Sequence, residues 1–220
     1  MDFAGAYTPD NLRFLLDGFL VTLEVAVVSI ILSFFIGGIL GVIRYAKVPI
    51  LSKLVAVVVE TIRNLPLILI IFFVYFGLQD PSRSWALDMS ITTAAIMALT
   101  IFESAMLSEI IRSGLNSVPK GHIEAARSSG LTYMQTLMHI ILPQALRSMV
   151  PPIVSQFISL LKDTSLAVII ALPELTHNGQ IIYAQNGNYI YPVLILIALM
   201  YFVVNYGLSL IARRLELKRA

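Results

Sequence analysis

Hydroxyl and charged side chains recur inside one stretch that is otherwise apolar, residues 148–172, and they are the groups in it most able to do chemistry. They are spaced three or four positions apart, which places them on one face of a helix. That face consists of Ser148, Pro152, Ser155, Ser159, Lys162 and Asp163. An ionisable group at bilayer depth costs at least about 2.5 kcal/mol. Lys162 and Asp163 are therefore expected either to pair with each other or to line a wet cavity.

A second group of charges lies in the apolar stretch 54–78. Glu60 and Arg63 stand one helical turn apart and can form an ion pair with each other. Pro66 follows and predicts a kink or an unwound turn near the middle of the stretch. Unwound backbone at membrane depth persists only against protein or a cavity. Glu60, Arg63 and Pro66 are therefore candidates for the wall of a substrate pathway.

The stretch 91–111 holds two more carboxylates. Glu109 stands three residues before Arg112, and we expect the two to pair at the inner membrane boundary. Glu103 has no evident partner in its own stretch, so it joins the candidate pathway residues.

The composition around these charges is that of an integral membrane protein. Of the 220 residues, 58% are hydrophobic and 13% are charged, and the mean hydropathy is +0.85. A helical crossing takes about 20 apolar residues, so the chain has room for about five crossings and no second domain. We therefore predict a single all-α transmembrane domain over residues 1–220. Its spans are expected at 19–43, 54–78, 91–111, 148–172 and 189–212, with a long loop at 113–147.

Basic residues are unequally divided between the two ends of these spans. One side holds Arg44, Lys47, Lys53, Arg112, Lys120, Arg127, Arg147, Arg213, Arg214, Lys218 and Arg219. The other side holds Arg13 and Arg83. Since cytoplasmic loops carry the excess of Lys and Arg, the pattern predicts an outside N-terminus and a cytoplasmic C-terminus in a cell membrane.

The loop 113–147 is patterned rather than irregular. Its apolar residues approximate one face of a helix: Ile123, Ala126, Leu131, Met134, Leu137, Met138 and Ile141. Gly130 interrupts helix propensity, and Pro143 is expected to end the helix, so the loop predicts two short helical pieces. The alternative is an amphipathic helix in the headgroup layer. Such helices usually carry a strongly basic face, whereas this loop has few charges.

The same loop resembles the EAA loop of ABC importer permeases, whose pattern is E-A-A, three residues, Gly, nine residues and I-x-L-P. Every fixed position matches at that spacing, from Glu124-Ala125-Ala126 through Gly130 to Ile140-x-Leu142-Pro143. The resemblance implies a MetI-like permease fold with coupling helices that dock into a groove on a nucleotide-binding subunit. The residues it implies for docking are Glu124, Ala125, Ala126, Arg127, Gly130, Leu142 and Pro143.

Other segments are similar to the polar amino-acid uptake branch of these permeases, which serves histidine, glutamine, glutamate, arginine and related compounds. They are the segments 60–67, 105–114, 161–166 and 173–176, within a similarity that runs from Thr22 to Arg213. The resemblance implies a polar amino acid as substrate, of glutamine or glutamate type. Because such a substrate is a zwitterion, Lys162 could donate to its carboxylate and Asp163 could accept from its ammonium group. The implied pathway comprises Glu60, Arg63, Pro66, Glu103, Ser155, Ser159, Lys162 and Asp163.

Two positions depart from the family pattern R-N/G-T-P-L-L-V-Q. Leu65 replaces the Thr, and Ile70 stands where Gln is frequent. The loss of these polar groups leaves open whether this subunit holds a complete substrate site. A permease built from two different subunits is one explanation.

The resemblance also implies a set of partners and a mechanism of alternating access. The partners are two ABC ATPase subunits, a second permease subunit that is identical or homologous, an extracytoplasmic amino-acid-binding protein and membrane lipid, without nucleic acid. The chain contains no P-loop GxxxxGK[ST], so ATP and Mg²⁺ are expected on the ATPase and no cofactor on this chain. Cysteine is absent and the three histidines lack HExxH spacing, so we expect neither a catalytic nor a metal site.

Three rival functions stay open. A secondary transporter could use Asp163 or Glu103 as its ion site, but it would leave the EAA pattern without a purpose. An intramembrane enzyme would need a catalytic dyad or metal spacing, and the sequence shows neither. An exporter would differ from the importer in not depending on an external binding protein.

Overall fold

The computed structural model describes residues 1–79, 84 and 86–217. Arg83, Lys218 and Arg219, which entered the orientation argument, lie outside the described residues. The α-helices in chain order are α1 (Phe3–Ala6), α2 (Pro9–Tyr45), α3 (Leu51–Asn64), α4 (Leu67–Phe72), α5 (Ile91–Asn116), α6 (Lys120–Ser128), α7 (Tyr133–Thr136), α8 (Leu142–Asp163), α9 (Leu175–Gln185) and α10 (Ile190–Leu217). Short π-helices follow α4 (Phe73–Gly77) and α7 (Leu137–Ile141), and 3₁₀-helices precede α9 (Thr164–Ile170) and α10 (Gly187–Tyr189).

Four helical segments of the described chain are long and apolar enough to cross a membrane. They are Pro9–Tyr45, Ile91–Asn116, Tyr133–Ile170 and Gly187–Arg214. Helix α2 begins well before the expected position 19, because the Thr8 side chain caps its N-terminus and Pro9 occupies its first turn. The orientation of the chain in the membrane stays a prediction.

The remaining expected span, 54–78, is broken. Leu51–Asn64 and Leu67–Gly77 meet at an angle of 106°. The break falls at Leu65, whose backbone is extended, and at Pro66, which precedes α4. The residue before a proline is pushed out of the helical region, which explains why α3 ends here. The predicted kink at Pro66 is confirmed, and the chain has five crossings only if the bent pair counts as one.

The prediction that Pro143 ends a helix is wrong. Pro143 lies in the first turn of α8, and the helical segment runs on from Tyr133 to Ile170. The expected loop at 113–147 is therefore mostly helical, and the helical segment that holds the fourth expected span begins before position 148. The π-helical turn Leu137–Ile141 directly precedes the proline. Its wider hydrogen-bond spacing accommodates a residue that lacks an N–H and whose ring crowds the preceding turn.

Close packing of α2 on α5 forms the centre of the molecule. A Cβ added at Gly37 would lie 2.8 Å from the Ser104 carbonyl oxygen, and one at Gly41 would lie 2.8 Å from the Ser108 carbonyl oxygen. Small residues let two membrane helices approach this closely, which increases their van der Waals contact. Such contact matters in lipid because the exclusion of water contributes no attraction between apolar helices there. The α2–α5 pair is therefore the most closely packed support for the site.

Candidate functional site

The EAA segment folds into two short helices joined at Gly130. Gly130 has φ +86°, a left-handed conformation that favours glycine, and among the described residues other than its two chain neighbours none lies within 4 Å of the position of an added Cβ. Arg127 donates to the Leu131 carbonyl oxygen at 2.9 Å across this turn. Thr132 then begins α7 with a capping box to Gln135. The backbone conformation thus favours glycine at position 130, and the surface there is open to a partner.

The two-helix segment packs on the C-terminal end of α5 and the N-terminal end of α8, which lie on the side predicted to be cytoplasmic and are here called the inner ends. Ile123 and Leu137 contact a buried apolar cluster that contains Leu115, Ile141 and Met149. His122 Nδ1 lies 2.8 Å from Gln144 Oε1, which adds a polar link between α6 and α8. Any displacement of the segment therefore acts directly on α8.

The predicted docking residues differ in exposure. Glu124, Ala125, Arg127, Gly130 and Pro143 are exposed, Leu142 is half-buried, and Ala126 is buried. Large apolar side chains stand exposed on the adjoining turns: Tyr133, Met134 and Met138. An exposed apolar patch beside open backbone is typical of a protein interface.

The structure brings the predicted polar residues of α8 onto one open face. Ser148, Pro152, Ser155 and Lys162 are exposed, and Ser159 and Asp163 are half-buried. Within the described residues Lys162 and Asp163 form no ion pair within 4 Å, either with each other or with another group. The two side chains therefore do not pair with each other in the structure, and a wet cavity at this face stays a prediction.

Glu103 lies behind this face rather than on it. Its side chain is 1% exposed, and its Oε2 accepts a hydrogen bond from Gln156 Nε2 on α8 at 3.1 Å. Its Oε1 has no partner among the described residues, and neither do the hydroxyls of Thr100 and Ser104 on the same helix. Gln156 was missed because it stands 53 residues away in the sequence. Together these groups form a polar layer between α5 and α8.

Glu60 and Arg63 join a cluster of five charges at the inner ends of α2 and α5. Arg44 donates from Nη1 to Glu109 at 2.8 Å and from Nη2 to Glu60 at 3.3 Å. Arg63 Nη1 lies 3.3 Å from Glu60 and 3.9 Å from Glu109. Arg112 donates to Glu109, so both predicted pairs are confirmed.

Two concave surfaces flank these elements. A cavity of about 370 Å³ opens between the inner ends of α5 and α8 and is lined by Glu109, Ile110, Ser113, Gly114, Ser117, Ser148 and Pro152. An apolar groove of about 430 Å³ runs along the bent segment and is lined by Ile62, Leu65, Leu69, Ile70, Phe73, Val74, Leu78 and Ile101. Both positions that depart from the family pattern, Leu65 and Ile70, line this groove. The bent segment therefore offers mostly apolar surface there.

Glu174 lies at the opposite end of the molecule from the charge cluster. It is fully buried at the start of α9 and accepts hydrogen bonds from the His177 N–H at 2.8 Å and the Thr176 N–H at 2.9 Å. The Tyr201 hydroxyl on α10 lies 3.2 Å from the same carboxylate. Burial raises the pKa of the Glu174 carboxyl above its ordinary value, although these hydrogen bonds oppose the shift.

Curated proteins closely similar in sequence are transport permeases. The chain is 69% identical, over the full length of both chains, to the probable glutamine ABC transporter permease protein GlnP of Bacillus subtilis strain 168. It is 35% identical to the glutamine transport system permease protein GlnP of Escherichia coli K12, covering 92% of this chain and 91% of that one.

A solved structure described as an amino acid ABC transporter with histidines has the same fold. The TM-score is 0.90 at 26% identity, with 99% of each chain covered. The expected all-helical permease fold and the location in a cell membrane are thereby confirmed. The family model described as binding-protein-dependent transport system inner membrane component matches residues 21–220. The chain belongs to this family of inner membrane transport components.

Proposed function

We propose that this chain is the membrane-spanning permease subunit of an ATP-driven importer for a polar amino acid, of glutamine or glutamate type. The observation that carries the proposal is the EAA segment, which folds as an exposed two-helix unit packed on α5 and α8. The names of the two sequence relatives support glutamine as the substrate.

Coupling to the ATPase occurs through this unit. The exposed backbone at Gly130 and the apolar side chains of Tyr133, Met134 and Met138 form the docking surface. Because the unit packs on Met149 and Ile141, closure of two ATPase subunits displaces the inner part of α8. The chain has no P-loop, so ATP and Mg²⁺ bind on the ATPase, and this chain needs no cofactor of its own.

The substrate passes along the polar face of α8. Ser155 and Ser159 offer hydroxyls, Lys162 a donor for the substrate carboxylate, and Asp163 an acceptor for its ammonium group. Glu103 and Gln156 stabilise the helix from behind. This face is open in a single subunit, so a second permease subunit, identical or homologous, supplies the opposite wall.

The transport cycle is one of alternating access. An extracytoplasmic binding protein delivers the amino acid to the outer side, and ATP-driven closure of the ATPase pair changes which side of the α8 face is open. Glu60 and Arg63 act at the inner ends of α2 and α5 rather than on the substrate, because their charges are already paired there. Pro66 contributes by bending the segment that bounds the apolar groove.

Reconstitution tests this function directly. The chain is co-purified with a candidate ATPase and placed in liposomes with a candidate binding protein, and glutamine and glutamate uptake is measured together with ATP hydrolysis. We expect uptake that requires ATP and the binding protein. Uptake that survives ATP depletion but collapses with an ionophore would instead establish a secondary transporter. Transport that proceeds without any binding protein would favour an exporter.

A further inference from the structure

Helix α3 is held to the rest of the molecule by charges more than by apolar burial. Among its 14 residues only Val59 is buried. Its apolar side chains at Leu51, Leu54, Val57 and Val58 point away from the molecule. A helix with so few buried side chains makes little van der Waals contact with its neighbours, and such contact is what holds apolar helices together in a membrane.

Ion pairs instead attach α3 to the closely packed α2–α5 pair. Arg44 on α2 and Glu109 on α5 project from the inner end of this pair. The Arg44 side chain is 8% exposed, whereas that of Glu60 on α3 is 51% exposed. Arg44 is therefore the buried member of the cluster, and Glu60 on α3 is its most exposed member, with Glu109, Arg63 and Arg112 in between.

The turn that leads into α3 is strained. Ile50 has φ 64° and ψ −57°, and the Leu51 N–H donates to the Pro49 carbonyl oxygen at 2.6 Å. This is the rarer form of γ-turn, which is strained for any residue and especially for a β-branched one. Lys47, in the same turn, also has a positive φ, of 50°. The far end of α3 is the 106° break before Pro66.

Helix α3 thus follows a strained turn, ends at a sharp bend and is linked to the α2–α5 pair by ion pairs. We propose that Arg44 is a positioning residue that docks α3 on the α2–α5 pair, and that α3 exchanges between this docked position and an undocked one favoured by the strain at Ile50. A single guanidinium can serve here because its planar fork reaches carboxylates on two helices at once. The link to transport rests on the proposed function, but the docking equilibrium itself does not.

The absence of cysteine from the chain makes the equilibrium measurable. Spin labels are attached at Val57→Cys on α3 and Ile39→Cys on α2, whose side chains are 66% and 62% exposed. The distance distribution is recorded for the permease in lipid nanodiscs. We expect a main narrow population in the starting protein and a broad, longer distribution with Arg44→Ala. Lys53→Ala is the matched control, because Lys53 forms no ion pair in the described part of the chain.

Two further variants separate positioning from general damage to the fold. Arg44→Lys keeps the positive charge but lacks the planar guanidinium group, so its docked population should lie between those of the starting protein and Arg44→Ala. Ile50→Gly removes the strain and should raise the docked-to-undocked ratio about tenfold, also in the Arg44→Ala background. An unchanged narrow distance in Arg44→Ala, or no effect of Ile50→Gly on the broadened distribution, would overturn the inference.

The role in transport is tested in the same labelled protein assembled with its ATPase. ATP hydrolysis is measured first, and the distance is then compared between the nucleotide-free and ATP-bound states. A shift in the docked population on ATP binding supports the role, and an identical distribution in both states contradicts it. Failure to bind or stimulate any ATPase would count against the proposed function, whereas the docking equilibrium is decided by the variants alone.

Discussion

Substitution of Gly130 gives the sharpest test of the coupling surface. At its φ of +86°, the Cβ of an L-residue comes too close to the following carbonyl oxygen. This crowding destabilises the conformation by about 1–2 kcal/mol. Such an energy corresponds to a factor of roughly 5 to 30 in an equilibrium. We therefore expect Gly130→Ala to lower the amount of amino acid taken up per ATP hydrolysed by up to that factor, because the α6–α7 unit loses its orientation.

A second variant separates backbone strain from contact with the partner. Asn tolerates the left-handed conformation far better than Ala, so Gly130→Asn keeps the turn but adds a side chain. Apart from Gly130 and its two chain neighbours, no atom of the described residues lies within 4 Å of that Cβ position, so a loss of coupling with Asn would point to contact with a docked partner rather than to a clash within this chain. Gly121→Ala is the matched control, because Gly121 is also surrounded by open space but has no positive φ.

The assay measures uptake and ATP hydrolysis in the same liposomes, together with the amount of ATPase retained on purification. We expect coupling to fall in both Gly130 variants and to stay normal in Gly121→Ala. If Gly130→Asn transports normally, the open surface at Gly130 is not a docking surface. If Gly130→Ala also transports normally, the reasoning from φ is refuted as well.

Three further predictions concern uptake, packing and pH. Asp163→Asn should lower uptake by about ten- to a hundredfold, because a charge-assisted hydrogen bond to the substrate ammonium group contributes about 1.5–3 kcal/mol. Co-purification with the ATPase should stay unchanged. A normal KM and transport rate would show that Asp163 does not belong to the substrate site. Gly37→Ala should reduce the unfolding free energy by about 1–3 kcal/mol in a thermal or denaturant assay, since its Cβ would meet the Ser104 carbonyl oxygen, whereas Gly38→Ala, with nothing within 4 Å, should be close to neutral. Because the pKa of Glu174 is raised on folding, its contribution to stability is greatest below its unfolded pKa and is lost as pH rises through the folded pKa. Thermal stability measured against pH should therefore show a decline in that window that Glu174→Gln lacks, and identical pH profiles would contradict the assignment.

Local chemistry explains the features that could be predicted from sequence. The bend at Pro66 follows from the conformational limits of proline and of the residue before it, whatever the rest of the chain does. The ion pairs Glu60–Arg63 and Glu109–Arg112 likewise follow from a spacing of three residues on one helix. The polar face of α8 follows from helical periodicity.

The features that were missed depend on contacts between distant parts of the chain. Arg44 looked like one of many inner basic residues, because its partners stand 16 and 65 residues away. Nothing in the local sequence indicates that Glu174 is buried, yet Tyr201 and two backbone N–H groups enclose it. Pro143 failed as a helix end because a π-helical turn precedes it, and no local signal indicates such a turn.

The open polar face of α8 has a consequence for the biogenesis of this protein. A newly inserted copy that has not yet met another subunit would present Lys162 and Ser155 to lipid, where such groups are poorly tolerated. Quality-control proteases that survey the membrane would then find unassembled copies easier to extract than assembled ones. We expect the cellular half-life of the chain to lengthen when its partner subunits are co-expressed, so that its abundance follows theirs.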